Sequence, residues 1–325
     1  MLAGEIYEPG KVRLIDVSEP KLDGGSGGSN GRILFQPQLG CLCGSDLPYF
    51  AMGDPPYSPV VGHSLHEMIG TVLDTNGERI RPGDRVLCVP ENQKGLQERF
   101  CVDEACAIPL EPGLSDEQAV LSQPLGTVVC GLKKLPNLVD QDVVVVGQGP
   151  IGQLLCAAFR NLGARRIMAV DPVSSRLRTS PCMGATAVID PTHDDPIAVV
   201  EGLTGGSMAD LVVDAVGHGD RAFDLCVGLC RHAGRILLFT LPGAEPIDLE
   251  ELFRKNITLH TSVGPDFDRD FPLAMRWIRE GRIDVTPIIT HRFALDEIQK
   301  AYEMFRDRKD GVLKVFIEFP AGVRF

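Results

Sequence analysis

The sequence predicts an α/β fold in which a doubly wound parallel sheet is inserted into a β-rich domain. Before about Ser115 the chain contains short strand patterns broken by turns. After it, strands alternate with helical patterns, which is typical of a parallel βαβ sheet. A return to strand near the end places the alternating part inside the β-rich part. The predicted domain boundaries are 1–120, 121–267 and 268–325.

The elements follow from apolar periodicity and from turn residues such as Arg81–Asp84. The strands predicted in the β-rich part are Lys11–Val17, Arg32–Gln38, Glu67–Asp74, Arg85–Val89 and Glu98–Val102. The alternating part has predicted strands Val143–Val146, Arg166–Val170, Asp210–Asp214 and Arg235–Thr240, with a helix at Gln153–Leu162. Helices Phe271–Arg279 and Leu295–Phe305 and strand Val312–Ile317 complete the prediction.

A glycine motif of the form G-x-G-x-x-G follows the buried strand at Val143. Gly147 allows a tight turn, Gly149 lets a pyrophosphate approach the backbone, and Gly152 lets the helix pack on the strand. The pyrophosphate is expected at the helix N-terminus, where unpaired N–H groups favour an anion. Asp171 closes the next strand and is expected to bind the adenosine ribose and repel a 2′-phosphate. The order of these features predicts a Rossmann domain that prefers NAD(H) to NADP(H).

Composition excludes several function classes. The net charge of −12 disfavours nucleic acid or an anionic membrane as partner. No apolar run reaches the length of a membrane helix, and the N-terminus lacks the features of a signal peptide. The ten cysteines show no disulfide framework, so a cytoplasmic location is expected.

Two segments of the β-rich part carry plausible metal chemistry, Gly40–Asp46 and Gly62–Gly70. The first contains Cys43 and the second contains His66, and a thiolate and an imidazole are both zinc ligands. Taken singly, each of these residues is more often a buried structural side chain. Their combination is what favours a metal site.

Together these motifs resemble the zinc-dependent medium-chain dehydrogenase/reductase family, in its polyol, threonine and alcohol dehydrogenase branch. The resemblance covers nearly the whole chain and also includes Glu5–Arg13, Pro82–Val86, Asp214–Gly217 and Gly311–Lys314. It implies a GroES-like β-rich catalytic domain and a Rossmann domain, with the active site in the cleft between them.

The resemblance also implies roles for individual residues. Cys43 and His66 match zinc ligands, Glu67 matches a carboxylate beside the metal, and Ser45 matches the hydroxyl that passes the substrate proton outward. Zinc would polarise the alcohol oxygen while hydride leaves the carbon. The implied cofactor-binding residues are Thr127, Gly147, Gly149, Pro150, Ile151, Gly152, Asp171, Arg176, Gly217 and Lys314.

The chain departs from the family pattern at the third metal ligand. Polyol-type members have a glutamate where this chain has Gln123, and a neutral amide is a poorer zinc ligand than a carboxylate. Three alternatives follow. Either Glu67 ligates directly, or zinc is weakly bound, or it is absent.

Other departures concern neighbouring positions. Leu65 stands where the family has glycine, and His63, from a second Gly-His pair, is expected to be a partly exposed loop residue. Pro48 replaces a histidine that relays protons in alcohol dehydrogenases, and Cys41 remains an alternative second ligand. The four-cysteine cluster of a structural zinc is missing, because Cys88, Cys101 and Cys106 are too far apart. Cys226 and Cys230, one helical turn apart, are expected to pack in a core.

The leading hypothesis is an NAD-dependent oxidoreductase that interconverts a secondary alcohol and a ketone with zinc, acting on a polyol, sugar or amino alcohol. One alternative is a zinc-free reductase of an activated C=C bond or a quinone. Another is a non-catalytic NAD-binding protein that has lost its metal. The family resemblance implies a homodimer or homotetramer formed through the Rossmann edge, with Asp248–Leu259 as the contact segment.

Overall fold

The computed structural model describes residues 1–22, 31–53, 57–217, 222–240 and 249–320 of the chain. The strands are β1 (Leu2–Glu8), β2 (Lys11–Asp16), β3 (Arg32–Cys41), β4 (Glu67–Thr75), β5 (Arg85–Cys88), β6 (Phe100–Asp103), β7 (Ala107–Pro109), β8 (Asp142–Val146), β9 (Arg166–Val170), β10 (Ala187–Ile189), β11 (Ala209–Asp214), β12 (Cys230–Leu238), β13 (Thr258–Thr261), β14 (Ile289–Ala294) and β15 (Lys314–Glu318). The helices are α1 (Leu47–Phe50), α2 (Asp116–Leu132), α3 (Pro150–Asn161), α4 (Ser174–Thr179), α5 (Pro196–Leu203), α6 (Phe223–Leu229), α7 (Leu249–Arg254), α8 (Asp270–Arg279) and α9 (Ile298–Arg306).

The described residues form two compact units. The first comprises Met1–Gln123, Phe267–Arg279 and Ile289–Phe325, and the second comprises Pro124–Asp266 and Glu280–Ile288, within the described ranges. Both units are therefore discontinuous in sequence, and their segments alternate along the chain.

The first unit is built on a mostly antiparallel sheet with the order β14-β15-β3-β4-β5-β7, and β6 pairs with β3 beyond that path. Strand β3 alternates buried and more exposed residues as far as Gln38, and then Leu39–Cys41 are all buried. The predicted strand, Arg32–Gln38, ends three residues before the observed end at Cys41, and Gly40 in this extension is a poor strand residue. The register shifts between Pro37 and Leu39, so this irregularity lets the strand continue to Cys41.

The second unit contains a six-stranded sheet with the order β10-β9-β8-β11-β12-β13, in which all neighbours are parallel. From β8 the chain moves outward to β9 and β10, and then returns to β11 on the other side of β8. The strand order therefore reverses at β8, which is the switch point where open α/β sheets bind ligands. This is the predicted doubly wound Rossmann sheet.

Two details of the predicted helices are wrong. Cys226 and Cys230 do not share a helix, because α6 ends at Leu229 and Cys230 begins β12. Both cysteines are nonetheless fully buried in the core of the second unit, as predicted. The helix expected at Leu295–Phe305 begins with a 3₁₀ turn, and its α-helical part starts at Ile298.

No helix within the described ranges combines the length and the apolar character that crossing a bilayer requires.

Candidate metal and dinucleotide sites

The predicted metal donors come together at the paired ends of β3 and β4. Cys43 lies just after β3, His66 lies just before β4, and Glu67 is the first residue of β4. These strands are antiparallel, with Cys41 opposite Glu67, so the end of one meets the start of the other. One ligand atom from each of the three side chains lies within 4.8 Å of the others. A thiolate, an imidazole and a carboxylate at this spacing fit a zinc ion with an open coordination position.

A buried carboxylate orients two of these donors. Asp46 is fully buried, and its Oδ2 accepts a hydrogen bond from the Cys43 backbone N–H at 2.8 Å. Its Oδ1 accepts one from the Leu65 N–H at 3.1 Å and lies 3.5 Å from Nδ1 of His66. Burial lowers the pKa of His66, but Asp46 and Cys43 outweigh it, and the pKa is raised well above its usual value. Metal-bound histidines commonly have such a carboxylate partner.

Leu65 occupies a backbone conformation that suits glycine. Its φ is +64°, in the left-handed region, and its side chain is fully buried. This conformation is strained for a leucine. Leu65 directly precedes the His66 donor, and its N–H donates to Asp46. The departure from the family's glycine noted in the sequence therefore falls on a position where glycine carries no steric cost.

Glu67 is paired with a buried cation. The Nζ of Lys314 contacts Oε2 of Glu67 and donates to the backbone carbonyl of Leu42 at 3.2 Å. Each of the two side chains is only 1% exposed. Burial lowers the pKa of Lys314, but Glu67 and the nearby thiols Cys43 and Cys41 raise it above its usual value. The contact of Lys314 with a cofactor stays a prediction, whereas its ion pair with Glu67 is present in the structure.

The glycine motif forms the turn between β8 and α3. Gly147 has a φ of +93°, and a Cβ atom on Gly152 would lie only 1.8 Å from the Gly147 carbonyl oxygen. A Cβ atom on Gly149 would meet no atom of the described residues within 4 Å, so this glycine faces open space. Helix α3 begins at Pro150, and its N-terminal N–H groups point into this turn at the switch point of the sheet. The arrangement fits a dinucleotide pyrophosphate.

Asp171 follows β9 beside the same turn. The carboxylate is 3% exposed, and its Oδ2 accepts a hydrogen bond from the Gln148 N–H at 2.7 Å. Its Oδ1 accepts one from the Val173 N–H at 2.7 Å, and Arg176 Nη1 lies 3.6 Å from Oδ2. Asp171 therefore lies where the fingerprint places a ribose ligand, and its contact with the ribose stays a prediction.

Comparison with known proteins agrees with this geometry. A family model described as "Zinc-binding dehydrogenase" matches residues 150–280. The L-threonine 3-dehydrogenase of Anaeromyxobacter dehalogenans (strain 2CP-C) is 27% identical over 315 residues, covering 86% of this chain and 89% of that protein. The L-threonine 3-dehydrogenase of Photorhabdus laumondii subsp. laumondii is 27% identical over 335 residues, covering 92% of this chain and 94% of that protein. The solved structure of alcohol dehydrogenase TADH from Thermus sp. ATN1 superposes with a TM-score of 0.84 at 25% identity, covering 98% of this chain and 100% of that one.

Over most of its length the chain is therefore similar to zinc-dependent medium-chain dehydrogenases.

The structural similarity supports the predicted fold, a GroES-like β-rich domain in the first unit and a Rossmann domain in the second. Within the first unit, Ser45 lies in the 3₁₀ turn Gly44–Asp46, two residues after Cys43. Its Oγ is buried and has no hydrogen-bond partner among the described residues. A buried hydroxyl without a hydrogen-bond partner costs free energy, and a bound substrate hydroxyl would supply that partner. This agrees with the proton-passing role predicted for Ser45.

Other residues singled out from the sequence of the dehydrogenase lie as follows. His63 is 7% exposed and packs edge-on against Tyr49 with ring centroids 4.8 Å apart, so the expectation of a partly exposed loop histidine is wrong. Phe50 stacks on Tyr302 in the core of the first unit. Gln123 is buried within α2, and its coordination of the metal stays a prediction.

Sequence reasoning assigned no role to Asp46, although it closes the Cys-Gly-Ser-Asp signature. An acidic residue three positions after a metal-ligating cysteine is a local signal that could have identified it. It also gave Lys314 no role towards Glu67. No local signal was present there, because the two residues are 247 positions apart.

Replacing Gly152 with alanine is expected to weaken NADH binding by the dehydrogenase at least tenfold. The new Cβ would lie 1.8 Å from the Gly147 carbonyl oxygen, so the turn would have to move away from the helix. Fluorescence titration with NADH measures the loss.

The matched control for this substitution is Gly202→Ala in α5. A Cβ atom there meets nothing within 4 Å, so binding and thermal stability should be unchanged or slightly improved. Equal NADH affinities in the two variants would contradict the proposed role of the turn.

Proposed function

We propose that this protein is an NAD-dependent dehydrogenase that interconverts a secondary alcohol and a ketone with a single catalytic zinc. The observation that carries the proposal is the group of Cys43, His66 and Glu67, whose ligand atoms lie within 4.8 Å of one another. When bound, zinc supplies a Lewis acid for the alcohol oxygen, and NAD supplies the acceptor for the hydride. The metal donors belong to the first unit and the glycine turn to the second, and the reaction requires both.

The chain's own residues divide the remaining work. Asp46 holds the Cys43 backbone and the Leu65 N–H, and so keeps both metal-binding segments in place. Ser45 presents a buried Oγ that can accept the proton of a substrate hydroxyl. Because Pro48 replaces the family's relay histidine, the proton leaves Ser45 through water or the ribose hydroxyls.

Glu67 compensates for the loss of the family's third ligand at Gln123. It is the carboxylate of the donor group, and a carboxylate is a better zinc ligand than an amide. Asp46 already accepts backbone N–H bonds on both oxygens, whereas Glu67 keeps one oxygen beyond its contact with Lys314. We assign Cys43, His66 and Glu67 as the metal ligands, with Gln123 as a further, weaker candidate.

The cofactor is NAD(H). Asp171 lies beside the pyrophosphate turn as a buried carboxylate, and a 2′-phosphate placed against it would be repelled. The remaining cofactor contacts proposed are Thr127, Gly147, Gly149, Pro150, Ile151, Gly152, Arg176, Gly217 and Lys314. Of these, Gly217 follows β11 with a φ of +87°, at the strand next to β8.

A polyol, sugar or amino alcohol is the proposed substrate class. Relatives along most of the chain are L-threonine 3-dehydrogenases, and galactitol-1-phosphate dehydrogenase from Escherichia coli has the same fold, with a TM-score of 0.85 at 19% identity. Substrates with a secondary hydroxyl beside a second polar group therefore form the first panel to be tested.

The experiment combines elemental analysis of zinc with NADH formation at 340 nm over this panel. We expect about one zinc per chain in protein purified without chelator, and activity that chelation removes. The substitution Gln123→Glu is the matched variant, and it is expected to raise zinc affinity. Activity without zinc would favour a reductase of C=C bonds or quinones, and NADH binding without any activity would favour a nucleotide-binding protein.

We also propose a cytoplasmic dimer or tetramer. All ten cysteines are free thiols, as a reducing compartment maintains them. The edge strand β13 and its surroundings expose Leu249, Phe253, Leu259 and Val263, with Phe253 84% and Val263 86% exposed. Of the predicted contact segment Asp248–Leu259, Asp248 lies outside the described residues. Sedimentation equilibrium tests the assembly, and a monomer at micromolar concentration would refute it.

A further inference from the structure

The glutamine inside the glycine turn is turned away from the open side of the turn and buried in the second unit. Gln148 lies between Gly147 and Gly149 and is fully buried. Its Nε2 donates to the Val145 carbonyl at 3.0 Å, and its Oε1 accepts from Ser180 Oγ at 3.0 Å. A turn that only had to follow a pyrophosphate would not need a buried amide at this position. The side chain therefore anchors the turn to the end of β8 and to the segment after α4.

A second glutamine ties the same three segments together from the helix. Gln153, in the first turns of α3, is also fully buried. Its Nε2 contacts the Gln148 carbonyl at 3.2 Å, the Arg176 carbonyl at 2.9 Å and Ser180 Oγ at 3.1 Å. Ser180 is itself fully buried and completes the network.

Backbone hydrogen bonds also connect the glycine turn to Asp171, the proposed ribose ligand. The N–H of Gln148 donates to Asp171 Oδ2 at 2.7 Å, and Asp171 Oδ1 accepts from Val173 just before α4. The glycine turn, the start of α3 and the segment 171–180 are therefore joined by buried hydrogen bonds, with Gln148 and Ser180 at their centre. Buried polar networks of this kind fix one geometry, because breaking any member leaves other polar groups unsatisfied.

We propose that Gln148, Gln153 and Ser180 are positioning residues that hold the pyrophosphate turn and the ribose-binding Asp171 in one fixed arrangement. The network rests on the proposed NAD site and deepens it. It sets the distance between the glycine turn, which is proposed to bind the pyrophosphate, and Asp171, which is proposed to bind the ribose. It therefore favours ligands that contact both over ligands that contact only one of them. AMP uses the adenosine side, whereas ADP-ribose reaches from Asp171 across the turn.

The test measures the dissociation constants of AMP, ADP-ribose and NADH by calorimetry on the zinc-loaded, full-length protein. In Gln148→Leu we expect ADP-ribose and NADH to bind roughly tenfold more weakly, and AMP to change less than threefold. The KM for NAD is expected to rise similarly while kcat stays within about twofold. A role in stability alone would lower the thermal midpoint without changing the ratio of AMP to ADP-ribose affinity.

Gln141→Leu is the matched control. Gln141 lies just before β8, at the end of the strand opposite to the glycine turn, and its side chain accepts a hydrogen bond from Arg235. Gln153→Met is the second variant, since it keeps the side-chain length but removes the amide donors. It is expected to show the same selective loss of ADP-ribose and NADH affinity, so it tests the proposal even where Gln148→Leu folds poorly. The inference is overturned if the wild type binds ADP-ribose and either well-folded variant binds it as tightly as Gln141→Leu does. If the wild type binds neither NADH nor ADP-ribose, the proposed function itself fails, and this inference fails with it.

Discussion

Replacement of Cys43 by alanine is expected to remove bound zinc and to lower kcat/KM by roughly a thousandfold. The thiolate is the softest donor of the group Cys43, His66 and Glu67, and without it two donors remain. Stabilisation of the developing charge by a metal is worth several kcal/mol, and about 4 kcal/mol corresponds to this factor. Elemental analysis and steady-state kinetics on the same preparation measure both effects.

Cys41→Ala provides the control for that substitution. Cys41 lies two residues earlier, is fully buried at the end of β3, and does not belong to the three-donor group of the described residues. It should retain zinc near one equivalent and most of its activity. Zinc retained in Cys43→Ala and lost in Cys41→Ala would show that the ligand assignment is wrong and that Cys41 is the donor.

Replacement of Lys314 by methionine is expected to be the most destabilising single substitution among those considered. Lys314 and Glu67 are both 1% exposed, so the substitution leaves a buried carboxylate without its cation. Breaking a buried ion pair in this way costs about 3–5 kcal/mol, which corresponds to a fall in thermal midpoint of roughly 10 °C. Differential scanning calorimetry measures it, on chelated and on zinc-loaded protein.

The direction of the metal effect is part of the same prediction. If Glu67 is a zinc ligand, bound zinc replaces part of the lost positive charge, and the midpoint should fall less in the zinc-loaded protein than in the chelated one. The double variant Lys314→Met with Glu67→Gln is expected to recover most of the stability, because no buried charge remains unpaired.

An exposed ion pair serves as the reference for Lys314→Met. Lys300 and Glu297 are 3.0 Å apart with side chains 70% and 41% exposed, and such a pair is worth less than about 1 kcal/mol. Lys300→Met should therefore shift the midpoint by at most about 2 °C. Similar shifts in the two variants would mean that the buried pair contributes no more than a surface pair.

The prediction from the sequence was most successful for local patterns. The run at Val143–Val146 has all its residues buried in the central strand β8, and the glycines after it form the tight turn before α3. Strand β9 was predicted with its observed bounds, Arg166–Val170. These elements are encoded over short distances by β-branched residues, glycines and an acidic strand end, and their local signals agree with one another.

Element boundaries were less accurate where local and tertiary preferences conflict. Strand β3 continues past its predicted end at Gln38 to Cys41, because Leu39–Cys41 pair with both β4 and β15. Strand β1 was not predicted as a strand, although it pairs with β2 from Leu2 to Glu8.

The sequence by itself therefore determined the Rossmann unit, the glycine turn after β8, and the thiol and imidazole available at Cys43 and His66. Only the tertiary structure decided how the donors are supported. Strand β15 pairs with β3 so that Phe316 lies opposite Cys41, and this register brings Lys314 beside Leu42 and onto Glu67. The physical reason is that a buried charge needs its partner within a few ångströms, whereas the chain separates these partners by 247 residues. Strand register, which depends on long-range packing, makes that contact.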